Sequence, residues 1–415
     1  MTKIIFICFD GTENGPLNDY PAEGKDGNLT NVLKLHILAG GNVEYDNDDY
    51  QRFKDEGQIT LYQLGIGAKE KKDVDGVNDR LDKAGNTAEF FLGDINTQVE
   101  PMKERLGKVY EEGDKLVICG FSRGAASARK FNAVLCSDGL MLANGEVIKS
   151  PEVELLAVWD TVSMQIKDYH LMGIINWQFR RHPSTECMNE KGGKLPPNVK
   201  KAVHLVALDD CRMWEMQTFP PTLMDSSDDR VTEMYFPGVH ADVGGGYGIN
   251  GLSDGACAYM KKYLEQAGLK FLEFNDVEDD ALVLSGVPDI NISQNALKID
   301  PNLSNQANIG DGQRVKRPSS RPICSAIDDK WIFDGGTAKI HESVVTHLKK
   351  RKSDGKRYFI NQHLYSMGFV VVGESGEDLC KELPEKTKEL KEFLEEEKAC
   401  GSVAIVKDRQ RCCIS

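Results

Sequence analysis

The stretch that most narrows what this chain can fold into is Leu116-Val117-Ile118-Cys119, running into Gly120-Phe121-Ser122-Arg123-Gly124 and then Ala125-Ala126-Ser127-Ala128-Arg129. Four apolar residues, a Gly-x-Ser-x-Gly pentapeptide and a small-residue run read as strand, sharp turn and helix. In such a turn the serine is lifted above the sheet on strained backbone. Gly120 and Gly124 are needed because side chains there would strike the strand and the helix. Ser122 is the candidate nucleophile. The competing reading is an ordinary turn, since glycine and serine are common residues.

The first residues repeat the strand signal. Ile4-Ile5-Phe6-Ile7-Cys8-Phe9 is continuously apolar, as strands buried on both faces of a parallel sheet are. It ends in the polar loop Asp10-Gly11-Thr12-Glu13-Asn14, and the ends of central strands are where α/β sheets place reactive groups. A phosphatase of the haloacid-dehalogenase type would carry its nucleophilic Asp at the position of Cys8, so that chemistry is disfavoured. Backbone N–H groups of Gly11 and Thr12 could serve an oxyanion, with Asp10 in support; a structural Asx turn is the alternative. A helix over Asn31–Leu38, capped by Asn28 or Thr30, a strand over Ile59–Leu64 and helical spacing over residues 87–110 complete an alternation of strand and helix. That alternation implies a parallel, doubly wound sheet.

Beyond the elbow, Val153-Glu154-Leu155-Leu156-Ala157-Val158-Trp159 is another buried-strand run, ending in Asp160. An acid there can orient a histidine and stabilise its imidazolium. A helix N-cap would use the same residue. Residues 165–200 contain the apolar stretch Leu171–Arg181, which ends in adjacent arginines, and form a lid candidate, with a buried helix as the alternative. A further strand-like run, Ala202–Leu208, ends in Asp209-Asp210. Met234-Tyr235-Phe236-Pro237-Gly238-Val239-His240-Ala241-Asp242-Val243-Gly244-Gly245-Gly246 then reads as a strand ending in a histidine with uncrowded flanks. His240 is the candidate base. Its place after Ser122 and Asp160 gives the chain order of α/β hydrolases. Asp242 either helps place His240 or caps the glycine turn. A rival chemistry would use Asp10, Asp160, His240 and Asp242 as a metal site in a metal-dependent phosphoesterase.

Taken together, Phe9-Asp10-Gly11-Thr12, Gly120-Phe121-Ser122-Arg123-Gly124-Ala125, Val158-Trp159-Asp160-Thr161-Val162, Ala207-Leu208-Asp209-Asp210 and Phe236–Tyr247 resemble the α/β-hydrolase family that includes the class-one type VI secretion lipase effectors. The resemblance covers roughly residues 3–270. It implies an α/β-hydrolase-like fold and phospholipase A activity, with Ser, Asp and His at Ser122, Asp160 and His240 and an oxyanion hole from Arg123 with Gly11 or Thr12. No cofactor is implied. His341, in Ile340-His341-Glu342-Ser343-Val344, is a lesser rival for the base. One departure is Asp210-Cys211-Arg212, where the family tends to have Glu-Arg-Arg.

A net charge of −14 argues against nucleic acid as a partner, because phosphate binding needs clustered Lys and Arg. The 11 cysteines show no C-x-x-C pair and read as reduced. Only six apolar residues precede Asp10, too few for a signal core. No run approaches the ~20 apolar residues of a membrane span, so a cytoplasmic protein with peripheral membrane contact is expected. Residues 1–375 are read as the catalytic domain, and 376–415 as a charged, solvated helix and tail. The tail ends in Cys412-Cys413-Ile414-Ser415, a farnesyl-type prenylation box that would attach a lipid to Cys412. A single prenyl chain beside a few basic residues gives reversible anchoring. The non-enzymatic alternative is a prenylated, membrane-localised binding protein without chemistry.

Overall fold

The computed structural model describes residues 2–17, 29–45, 48–68, 95–163, 185–210, 221–248, 250–284, 292–300, 321, 323–333, 338–353, 362–365, 368–374 and 383–399. The apolar lid candidate 171–181 and the box at Cys412 lie outside the described residues.

The N-terminal apolar run forms β1 (Ile4–Phe9), which leads to helix α1 (Asn31–Leu38). The helix begins where it does because Thr30 Oγ1 accepts the Leu33 amide at 3.1 Å, which fixes Thr30 as the cap. The chain continues through β2 (Gln58–Gln63), α2 (Asn96–Val109), β3 (Lys115–Phe121) and α3 (Ser122–Asp138). A short antiparallel pair, β4 (Leu140–Met141) and β5 (Val147–Ile148), precedes β6 (Val153–Trp159). Then come β7 (Ala202–Ala207), β8 (Val231–Phe236), the five-residue α4 (His240–Gly244) and α5 (Gly251–Gln266). A second small antiparallel pair, β9 (Ser325–Ile327) and β10 (Lys330–Ile332), is followed by β11 (Ala338–His341), α6 (Ser343–Ser353), β12 (Phe369–Val372) and α7 (Pro384–Ala399).

Eight of these strands form one sheet in the order β12-β11-β8-β7-β6-β3-β1-β2, and every described pairing in it is parallel. Side chains alternate across it as the period of two demands. In β1, Phe6 and Cys8 face one core with α1 and α5, while Ile5, Ile7 and Phe9 face the other with α2 and α3. Layers on both faces of a parallel sheet explain why its strands lack polar alternation. This is the α/β-hydrolase-like architecture implied by the motif order.

The winding reverses once. From β1 the chain moves outward to β2, then returns to place β3 on the other side of β1. Such a reversal opens a crevice beyond the carboxyl ends of the two diverging strands. Those ends are Phe9 and Phe121, so the Asp10–Asn14 loop and Ser122 lie at the switch point. At the far edge, α7 is not simply solvated: Leu390 and Leu394 are buried in a core with Val371 and Phe369 of β12.

Candidate active site

Ser122 follows β3 directly and opens α3, with Phe121 extended and Ser122 itself at φ 57°. A non-glycine residue in the left-handed region is strained by roughly 1–2 kcal/mol and persists only where its surroundings enforce it. The enforcement is visible in the two glycines. A Cβ on Gly120 would stand 2.5 Å from the Gly124 carbonyl oxygen, and one on Gly124 would stand 2.1 Å from that of Asp10. Strand β3, helix α3 and the end of β1 therefore meet backbone to backbone, and the tight turn between them has room only for the observed path. The Ser122 carbonyl accepts the Val162 amide at 3.1 Å, tying the elbow to the segment after β6. The serine is 7% exposed, at the start of a 17-residue helix whose first amides are free of intrahelical partners.

Asp160 lies one residue past β6, also on positive-φ backbone (41°) and fully buried. Its Oδ2 is 2.5 Å from His240 Nδ1. Arg321 Nη1 donates to both carboxylate oxygens, at 2.8 and 2.9 Å, and the Ala207 amide donates to Oδ1 at 3.0 Å. Burial by itself would raise the Asp160 carboxyl, but the Arg321 charge and the hydrogen bond from His240 outweigh it and hold it below the ordinary carboxylate range. The next amide, Thr161 N–H, donates to His204 Nε2 at 3.0 Å, while His204 Nδ1 lies 2.8 Å from Glu233 Oε2. Since Nε2 accepts, the Glu233 contact fixes the Nδ1–H tautomer, and His204 serves as a buried prop for the loop that carries Asp160.

His240 differs from its expected setting in one respect. Strand β8 stops at Phe236, and His240 is the first residue of α4 rather than the end of the strand. The connecting turn needs Gly238 at φ 103°, and its amides are satisfied from the side: Asp209 Oδ2 accepts Gly238 N at 2.8 Å, and Asp242 Oδ2 accepts Val239 N at 2.9 Å. Asp242 thus caps the turn that presents His240. The imidazole packs against the Phe121 ring with centroids 4.6 Å apart, so the residue preceding the serine is also the floor beneath the histidine. Gly244 makes room for that ring, because a Cβ there would come within 2.0 Å of it.

The loop after β1 completes the setting. Asp10 is fully buried and accepts from Tyr62 Oη at 2.5 Å, Thr30 Oγ1 at 2.9 Å and the Gly11 amide at 2.7 Å. Burial raises its carboxyl to about 6 despite these donors. The Gly11 N–H is thereby committed inside the loop. Thr12 Oγ1 accepts Arg123 Nε at 2.6 Å, which joins the loop to the first turn of α3.

Among the described residues, the group with the spacing to hold a metal ion is Asp160, Asp210 and His240, whose ligand atoms lie within 4.8 Å of one another. Asp10 and Asp242, the other members of the rival metal set, are outside this group and engaged with their own turns. Arg321 already sits on both Asp160 oxygens, so a cation there would have to displace a guanidinium. His341 stacks flat on Phe236 at 4.3 Å and edge-on to Tyr259 at 4.9 Å, and burial pushes its imidazole down to about 3. His36, read as a helix residue, is likewise a core histidine, bonded to Thr60 Oγ1 and the Asn42 carbonyl.

Three neighbours of the site carry no assigned role in the sequence. Asp210 and His204 belonged to a recognised strand run but carried no spacing signal. Arg321 sits in a Pro- and Ser-rich stretch, Arg317-Pro318-Ser319-Ser320-Arg321-Pro322, where nothing distinguishes one arginine from the next.

The model of the family described as type VI secretion system phospholipase effector Tle1-like, catalytic domain, matches residues 3–151 and 143–263. An uncharacterised protein of Saccharomyces cerevisiae is 29% identical over 161 residues, which is 38% of this chain and 21% of the yeast protein. Among solved structures, an uncharacterised protein from Pseudomonas aeruginosa aligns with a TM-score of 0.38 and 20% identity over 74% of this chain and 51% of that one. The Tle1 effector bound to the VgrG spike of the type VI secretion system aligns with a TM-score of 0.42 and 16% identity, over 69% of this chain and 77% of that one. The chain spans about a fifth of the yeast relative and about half of the P. aeruginosa chain.

Proposed function

Since the chain belongs to the Tle1-like phospholipase effector catalytic-domain family, we propose that it hydrolyses an acyl ester of a membrane phospholipid, as a phospholipase A, through Ser122, His240 and Asp160. The observation that carries this reading is the 2.5 Å contact between His240 Nδ1 and Asp160 Oδ2, beside the strained serine elbow. With Nδ1–H donated to the carboxylate, Nε2 is the basic nitrogen. It takes the Ser122 proton as Oγ attacks the ester carbonyl and then delivers it to the departing lysophospholipid oxygen. Water repeats the sequence on the acyl-enzyme and releases the fatty acid. Asp160 keeps the imidazole in the productive tautomer and offsets its charge.

The developing oxyanion is held by backbone N–H groups of Arg123 and Thr12. The Gly11 amide, bonded to Asp10, supports that loop rather than the oxyanion. The mechanism calls on no metal or cofactor. The substrate brings the protein to a membrane surface, and a farnesyl group on Cys412 would add reversible anchoring.

The test is release of free fatty acid from phosphatidylcholine and phosphatidylglycerol vesicles by the wild type and by Ser122→Ala, with fluorophosphonate labelling in parallel. Wild-type turnover and labelling that both vanish in the variant are expected. Equal release by the two proteins would overturn the proposal, and an unlabelled, inactive wild type would favour an inert lipid-bound scaffold.

A further inference from the structure

We propose that Arg321 is a positioning residue of this triad: its guanidinium fixes the Asp160 carboxylate in the orientation that reaches His240, and sets how far the pH can fall before the pair takes up a proton and stops working. The inference rests on the reading of Ser122, Asp160 and His240 as the catalytic set.

The geometry is a closed circuit. Arg321 Nη1 donates to both Asp160 oxygens and, at 2.8 Å, to the Ala207 carbonyl oxygen, while the Ala207 amide returns a hydrogen bond to Asp160 Oδ1. One Nη carries two hydrogens, so it can satisfy a carboxylate and a carbonyl together. Both side chains are essentially removed from water, Arg321 at 1% and Asp160 at 0% exposure. Rotation of the carboxylate would break the circuit at three points, so Oδ2 is held where His240 Nδ1 meets it.

The charges around the pair decide the pH consequence. Arg321 faces Asp160 from the segment before β9, and Asp210 faces both Asp160 and His240 from the segment after β7. His204 bonds the Thr161 amide and Glu233, Asp209 accepts the Gly238 amide, and Arg123 donates to Thr12. Among the described residues, Arg321 is therefore the arginine or lysine seen to offset two carboxylates beside one imidazole. A buried carboxylate without a counter-charge binds a proton avidly, either itself or through the histidine bonded to it. Without Arg321, the pair would hold its proton to higher pH and the base would be blocked nearer neutrality. A charge of opposite sign within this distance shifts a titration by about one to three pH units.

The experiment compares Arg321→Gln and Arg321→Lys with the wild type. First, kcat/KM is measured from pH 5 to 9 on a soluble p-nitrophenyl ester and on phosphatidylglycerol vesicles. Second, the imidazole signals of [15N]histidine-labelled protein are titrated by NMR in a Ser122→Ala background, with and without Arg321→Gln. Arg321→Gln is expected to move the acidic limb of kcat/KM, and the NMR midpoint of the pair, about one pH unit upward. Arg321→Lys keeps the charge but not the planar fork, so it keeps the wild-type limb while losing on the order of tenfold in kcat. Unchanged limbs and midpoints in Arg321→Gln would overturn the electrostatic role, and wild-type kcat in Arg321→Lys would overturn the positioning role. Should Arg321→Gln not fold, the Lys variant still decides the positioning role. If Ser122→Ala retains full activity the triad itself falls, whereas the NMR titration reports on Arg321 regardless.

Discussion

His240 and Asp160 are separated by 80 residues in sequence and meet at 2.5 Å between Nδ1 and Oδ2. The contact fixes the tautomer, because a carboxylate can only accept. Asp160→Asn would present an amide to His240 and to Arg321 alike, reverse the tautomer preference and leave a buried guanidinium beside a neutral group. The expected result is a fall in kcat of about 10³–10⁴-fold with KM nearly unchanged. Steady-state kinetics on phospholipid vesicles check it, and a loss under tenfold would remove Asp160 from the reaction.

Glycine requirements at the elbow yield a stability test with an internal control. Gly124→Ala forces a Cβ to within 2.1 Å of the Asp10 carbonyl and 2.5 Å of that of Phe9, backbone atoms that cannot move without separating β1 from α3. Gly113, at φ 92°, has nothing within 4 Å of its would-be Cβ, so Gly113→Ala meets only the backbone cost of about 1–2 kcal/mol. Thermal melts should show a small drop for Gly113→Ala and little soluble folded protein for Gly124→Ala. Equal melting temperatures for the two would refute the close approach.

What the sequence made legible follows from locality. The elbow, the first strand and Asp160 are each announced by an apolar run meeting a polar end, because a strand buried on both faces cannot hide its composition. Thr30 as a cap and Ser122 as the first helical residue follow from short-range chemistry. His240 is legible as a residue but not in its element, since Pro237-Gly238 ends β8 and starts a new turn before the histidine. Arg321 was illegible for a different reason: its significance lies in a partner 161 positions away, and no periodicity records such a meeting. His36 and His341 show the converse, for both are histidines whose partners make them core residues.

Beside the elbow, Arg129 on α3 makes a fully buried pair with Glu190, with Nε at 3.0 and 3.1 Å from the two carboxylate oxygens and Nη1 bonded to the Thr222 carbonyl. Removing one partner of such a pair leaves an uncompensated buried charge, which costs about 3–5 kcal/mol, whereas replacing both with apolar groups is often neutral. Arg129→Met alone should therefore lower the denaturant midpoint sharply, and Arg129→Met with Glu190→Leu should recover most of the loss. A double variant no more stable than the single one would show that the pair is held for the hydrogen bonds Arg129 donates to the Thr222 and Leu223 carbonyls rather than for charge balance.

His341 makes acid sensitivity measurable. Burial holds its imidazole at about 3, and in the unfolded chain a histidine takes up its proton near 6.5. Between those values the unfolded state binds more protons than the fold, so stability rises with pH across the window and is lost as pH falls through it. Phe236 already stacks on the ring at 4.3 Å, so His341→Phe keeps an aromatic plate in place while removing the titration, at the cost of the contact with Ser343. His36, also held at about 3, remains in both proteins and cancels in the comparison. From pH 7 to pH 5 the wild type should lose about 1–2 kcal/mol more stability than His341→Phe, measured by urea unfolding at the two pH values. Parallel losses in the two proteins would mean that His341 is protonated in the fold, and that its stacking on Phe236 tolerates the charge.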